Sequence, residues 1–182
     1  MKHILRAGLA AFVLLPGPVA AAEYWEFRDW RVSVDEIDTG EDLRRTCRAS
    51  TGGDGLPVLS VEFSNGDAGP PDFYPPVVIG EHAVRNFQTV MRDGAAVSAV
   101  FDDGDGAAAT AYGWVNEDGF EEAEASFGGP DALLVLQAMR RNGVMDITTG
   151  GKLVLSASLN GFTAAYLKIA EQCGFSAEGV VD

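Results

Sequence analysis

The chain has 182 residues, of which 47% are hydrophobic, enough for one domain with a sizeable core and too apolar for disorder. Its 13 basic and 27 acidic side chains give a formal charge of −14. Such a charge disfavours nucleic acids and anionic membrane surfaces as partners and suits cationic proteins, peptides or metal ions.

Residues 1–22 read as a secretory signal peptide. Lys2 and Arg6 form a positive start, Ala7 to Leu15 is an apolar run broken only by Gly8, and Ala20, Ala21 and Ala22 supply small residues before Glu23. The run is too short to span a bilayer, and Pro16, Gly17 and Pro18 follow it. Cleavage is expected after Ala22. That leaves residues 23–182 as one mature domain, periplasmic or secreted, with 11 basic and 27 acidic side chains and no membrane span.

Alternation from Trp25 to Asp35 predicts a half-buried strand, with Trp30, Val32 and Val34 on one side. Glu36 to Asp42 is read as a connection, and Arg45 to Ala49 as a second strand with Cys47 inward. Gly52 to Gly55 forms a turn, and Leu59, Val61 and Phe63 mark a third strand. Ser64 to Pro76 holds too many glycines and prolines for regular structure and is expected to be a surface loop. Extended structure resumes at Val77 to Ile79. Phe87 to Met91 fits strand or helix, with strand preferred.

Val97 to Phe101, Ala109 to Val115 and Phe120 to Phe127 are further strands, and the spacing of their turns predicts an antiparallel meander. A helix opens at Gly129-Pro130-Asp131 and stops at Asn142-Gly143, with Leu133, Leu136 and Met139 on its apolar side. Val144 to Thr148 and Lys152 to Ser158 make a hairpin. In the last helix, Phe162, Ala165, Tyr166, Ile169 and Cys173 recur at helical spacing and are expected to face the sheet. The fold class is therefore α+β, mostly antiparallel β, sandwich-like, with two short helices.

Cys47 and Cys173 are the only cysteines. In an exported chain such a pair reads as a disulfide. It would tie an early strand to the last helix and is worth up to roughly 4–5 kcal/mol on the chain-entropy account.

Few residues offer chemistry. His82 is the only histidine of the mature domain and no nucleophile-elbow pattern accompanies it, so it is read as a surface residue. The turn Asp102-Asp103-Gly104-Asp105 could wrap a calcium ion, but the glutamate that closes a calcium loop is missing, and a plain turn is preferred. Glu121, Glu122 and Glu124 could supply a carboxylate pair for glycan hydrolysis, although a solvated strand face explains them more simply. No phosphate-binding loop or dinucleotide fingerprint occurs, so no cofactor, metal or catalytic residue is expected. Phe73 and Tyr74, in the proline-rich loop, are the candidates for contact with a partner.

Several of these residues carry a resemblance. The signal peptide, the Trp30-Arg31-Val32 strand, the Cys47 strand and the run from Ser158 through Leu159-Asn160-Gly161-Phe162-Thr163-Ala164-Ala165 to Cys173 resemble the invasion-associated locus B family, small exported proteins of alphaproteobacteria. The likeness is clearest over about 30 C-terminal residues. It implies an antiparallel β-rich fold and an envelope or host-invasion role, and it carries over no catalytic residue. The expectation is an exported, non-catalytic module that binds a protein or envelope component. The alternatives are an inhibitor of a cationic hydrolase such as lysozyme and, less well supported, a glycan hydrolase.

Overall fold

The computed structural model describes residues 23–38, 40–55 and 57–181. The signal peptide and its cleavage point lie outside these residues.

Ten strands form one curled antiparallel sheet, and the α+β class read from the sequence holds. Strands β1 (Glu23–Phe27), β2 (Trp30–Asp38), β3 (Leu43–Gly52), β4 (Val58–Ser64) and β5 (Val77–His82) follow one another as a meander. The expected first strand is in fact a hairpin. Arg28 takes a left-handed conformation (φ 56°) and turns β1 back along β2. The acidic stretch expected to be a connection instead extends β2 to Asp38, because Glu36 and Ile37 pair with Arg45 and Arg44.

Strands β6 (Ala96–Phe101), β7 (Gly106–Val115) and β8 (Glu121–Phe127) form a second meander. It is β8 that pairs with β5, so the sheet order is β1-β2-β3-β4-β5-β8-β7-β6-β9-β10 and a single run of neighbours is not what forms. After β8, one turn of 3-10 helix at Gly129–Asp131 leads into α1 (Ala132–Arg141). The hairpin β9 (Val144–Thr149) and β10 (Lys152–Ser158) attaches to β6, and α2 (Phe162–Cys173) ends the fold.

Alternation builds the core. Cross-strand pairs such as Leu59 with Ile79, and Val61 with Val77, point inward and meet the buried faces of both helices. Every residue of the expected α2 stripe is buried, and Trp30 meets Phe162 edge to face at 5.1 Å. The Cys47–Cys173 disulfide forms, with the Cα atoms 6.0 Å apart. Curling brings the end of β10 back to the β1–β2 turn. There Trp30 Nε1 donates to Ser158 O at 2.9 Å and Ser158 Oγ donates to Asp29 Oδ2 at 2.6 Å. Among the described residues, no helix is long and apolar enough to cross a membrane.

Candidate functional site

Residues 83–95 connect β5 to β6. Because β8 and β7 lie between those strands, this segment has to cross the ends of both. No strand forms at Phe87–Met91, contrary to the expectation. The apolar residues there do not supply one continuous inward face: Met91 is fully buried while Phe87 is exposed.

The segment is held by Glu81. Its position on β5 follows Val77 and Ile79 on the inward side, so its carboxylate enters the core. Oε1 accepts the Val90 N–H at 2.6 Å and Oε2 accepts the Met91 N–H at 2.9 Å, which satisfies a buried charge with two backbone donors. Thr89 Oγ1 donates to Met91 O at 2.6 Å. Arg92 reaches Glu121 on β8 at 2.7 Å and Gln88 at 2.6 Å. Asp93 Oδ1 accepts the Gly113 N–H at 3.2 Å, and Gly113 leaves room for that approach, since a Cβ would stand 3.0 Å from Asp93 N.

This pinned crossover presents large apolar side chains to solvent. Phe87 is 69% exposed and Val84 64%, and on β7 Tyr112 is 66% and Val115 63% exposed. On β7 the inward positions are Ala111, Gly113 and, at the strand's end, Val115, so Tyr112 and Trp114 share the outer face. Tyr112 and Trp114 stack there with ring centroids 5.5 Å apart. Two hollows, of about 200 and 410 Å³, share Val115 and Glu121 as common walls, which joins Trp114 to Phe87 in one surface. Clustered exposed aromatics on a fixed backbone mark interaction surfaces.

The rim is charged. Arg85 lies over the Phe120 ring at 5.5 Å. Glu122 Oε1 accepts from Asn116 Nδ2 at 2.6 Å and faces His82 Nδ1 at 3.3 Å. Glu122 and Glu124 extend from the same face of β8, opposite Trp114 and Tyr112 in the ladder. They stand side by side on one strand, and no cleft separates them.

The other residues singled out from the sequence lie elsewhere. Phe73 is half exposed above a hollow of about 240 Å³ walled by Glu62, Asp67, Pro75 and Pro76. Tyr74 turns away from it and donates from Oη to Glu178 O at 3.2 Å, holding the C-terminal segment. The Asp102–Asp105 turn is a clasp on the end of α1. Asp102 accepts the Gly143 N–H at 3.1 Å, Asp103 accepts from Asn142 Nδ2 at 2.9 Å, and Asp105 pairs with Arg141 at 3.2 Å. Among the described residues, no group of three or more His, Cys, Asp or Glu side chains could hold a metal ion.

The patch of Val84, Phe87, Tyr112, Trp114 and Val115 escaped the sequence reading. Half of it had a signal, since small residues alternate with Tyr112 and Trp114 and only one set can face the core. Phe87 had none, because its exposure depends on Glu81 capturing the residues that follow. Comparison with protein-family models, curated proteins and solved structures returned no match for this chain.

Proposed function

We propose that the chain is an exported, non-catalytic binding protein that engages a protein or envelope component through the Phe87–Val115–Trp114–Tyr112 patch. The observation that carries this reading is the concentration of exposed apolar and aromatic side chains on a crossover fixed by Glu81. A rigid backbone lowers the ordering cost of binding.

Export is supported by the N-terminal pattern and by a disulfide, which persists in oxidising compartments. The C-terminal likeness to the invasion-associated locus B family agrees with an envelope setting. A non-catalytic role is supported by the engagement of the candidate carboxylates in structural hydrogen bonds.

Photo-crosslinking side chains placed at Phe87 and Tyr112 test the reading in the producing cell. Defined adducts are expected from these two positions and not from Ile37 or Leu153, which are comparably exposed on other parts of the sheet. Adducts of equal yield from all four would remove the patch as the binding surface.

A further inference from the structure

Strand β7 changes partners halfway. Ala111–Val115 pairs with β8, whereas Gly106–Thr110 pairs with β6 alone. The ladder fixes where each backbone group points. The Ala111 N–H donates to Ala95 O, the Gly94 N–H to Ala111 O and the Phe101 N–H to Asp105 O, each at 2.9 Å. Odd-numbered residues of β7 therefore address β6, and Gly106, Ala108 and Thr110 direct their N–H and C=O groups to the opposite side.

On that side lies α1, not a strand. A groove of about 400 Å³ separates the two, walled by Gly106, Ala107 and Ala108 on β7 and by Leu134, Val135 and Ala138 on α1. A helix satisfies its own amides and cannot complete a β ladder. The inward-facing Ala107 and Ala109 are only half buried, so the core stops short here, and Leu134 is exposed.

The other edges of the sheet are guarded. Strand β1 carries Glu23 and Glu26, and β10 begins with Lys152 and has a register shift between Leu153 and Leu155. Charges and irregular pairing are the usual devices against strand addition. The run Gly106-Ala107-Ala108-Ala109-Thr110 has no charge or proline, and its pairing with β6 is regular.

We propose that the groove between β7 and α1 receives an extended segment of a cationic partner protein, which adds as a strand to Gly106–Thr110. Main-chain bonds would supply affinity, and alternate small apolar side chains would fill the space beside Leu134 and Val135. Charge selects the partner. The chain carries a formal −14, Asp131 lies at one end of the groove, and Arg141, the cation at the other end, is already bonded to Asp105. Second copies of so acidic a chain repel one another. The site is separate from the aromatic patch, and neither depends on the other.

The test is amide hydrogen exchange on the isotopically labelled protein, with a lysine-flanked peptide of alternating valine and alanine as probe. Exchange at Gly106 and Ala108 is expected to slow by about ten-fold or more with peptide, while Ala107 and Ala109, facing β6, stay unchanged. The same peptide N-methylated at alternate amides should give no protection, and a glutamate-flanked version should bind several-fold more weakly. Leu134→Ser, at an exposed position, should weaken binding with no change in melting temperature. Absence of protection at millimolar peptide, or protection indifferent to N-methylation and to Leu134→Ser, overturns the proposal. Protection that grows with protein concentration in the absence of peptide would make a second copy the occupant and overturn it as well.

Discussion

Removing the disulfide should cost this fold more than any interaction it makes locally. The bond joins Cys47 on β3 to Cys173 at the end of α2, a sequence separation of 126. On the chain-entropy account a loop of that length lowers the free energy of folding by about 5 kcal/mol, nearly all of it by restricting the unfolded chain. In the native state α2 keeps its other attachments when the bond is cut, because Phe162, Ala165, Tyr166 and Ile169 remain fully buried. The variant Cys47→Ala/Cys173→Ala should therefore fold to the same structure and lose about 4–5 kcal/mol, which for a domain of this size lowers the melting temperature by roughly 10–20 °C. Urea unfolding followed by circular dichroism separates the mechanisms. A less constrained unfolded chain exposes more surface, so the slope m should rise in the variant and in the reduced wild type. A loss below about 1 kcal/mol with unchanged m would refute the reasoning. So would exchange showing α2 frayed and the sheet intact, since the effect would then reside in the native state.

Four further outcomes follow from single side chains. Gly161 caps the start of α2 at φ 97°, and a Cβ there would stand 1.8 Å from Phe27 O, so Gly161→Ala should cost about 4 kcal/mol or more in urea titration, or prevent folding. Tyr166 Oη has no hydrogen-bond partner among the described residues, and burial, with Tyr74 nearby, pushes the phenol's pKa up. Tyr166→Phe should hence leave stability unchanged or raise it by up to about 2 kcal/mol, and a clear loss in a thermal melt would count against an unpaired hydroxyl. Glu81→Gln replaces a pure acceptor with a group that is half donor facing two N–H groups. It should cost about 1–3 kcal/mol and make residues 83–95 the first site of limited proteolysis. The Asn142 amide and then the Asp105 N–H hold the Asp103 carboxyl below its ordinary pKa, so that stabilisation is complete above the unfolded value and fades as pH falls through the folded one. The stability gap between wild type and Asn142→Ala should accordingly narrow as pH drops below about 4, measured by urea unfolding at several pH values.

Local features were legible in the sequence because they rest on local physics. The α2 stripe from Phe162 to Cys173 needs only the helical period, and the Asn142-Gly143 stop needs only capping chemistry. Strand order was not legible. The alternation of Val77, Ile79 and Glu81 states which side faces inward, but it does not state whether β6 or β8 lies alongside, since either presents a small-residue face. The hairpin turn at Arg28 was hidden for another reason: a non-glycine residue holds the left-handed conformation, so the usual turn signal is missing. Among the candidate contacts, Phe73 and Tyr74 are neighbours in sequence with opposite environments, because the C-terminal segment captures Tyr74 from 104 residues away.

The strand order that sequence could not reveal is also what creates both candidate surfaces. Placing β8 beside β5 makes the chain cross the same strands twice. Residues 83–95 pass over the ends of β8 and β7 to reach β6, and α1 returns the chain from β8 to β9 on the far side of β6. The first crossing carries no regular structure, so its backbone donors need an acceptor, and Glu81 supplies it from within the core. With Met91 drawn inward by that contact, Phe87 and Val84 are left outside, Phe87 sharing a hollow with Val115. On the way to the second crossing β8 stops pairing with β7 at Ala125, opposite Ala111, which leaves the five residues Gly106–Thr110 facing a helix. A simple meander of these strands would have closed both places with backbone pairing. The aromatic patch and the open edge are thus consequences of one topological choice, at opposite ends of a single strand, and the experiments on each report on the other's frame without sharing a binding residue.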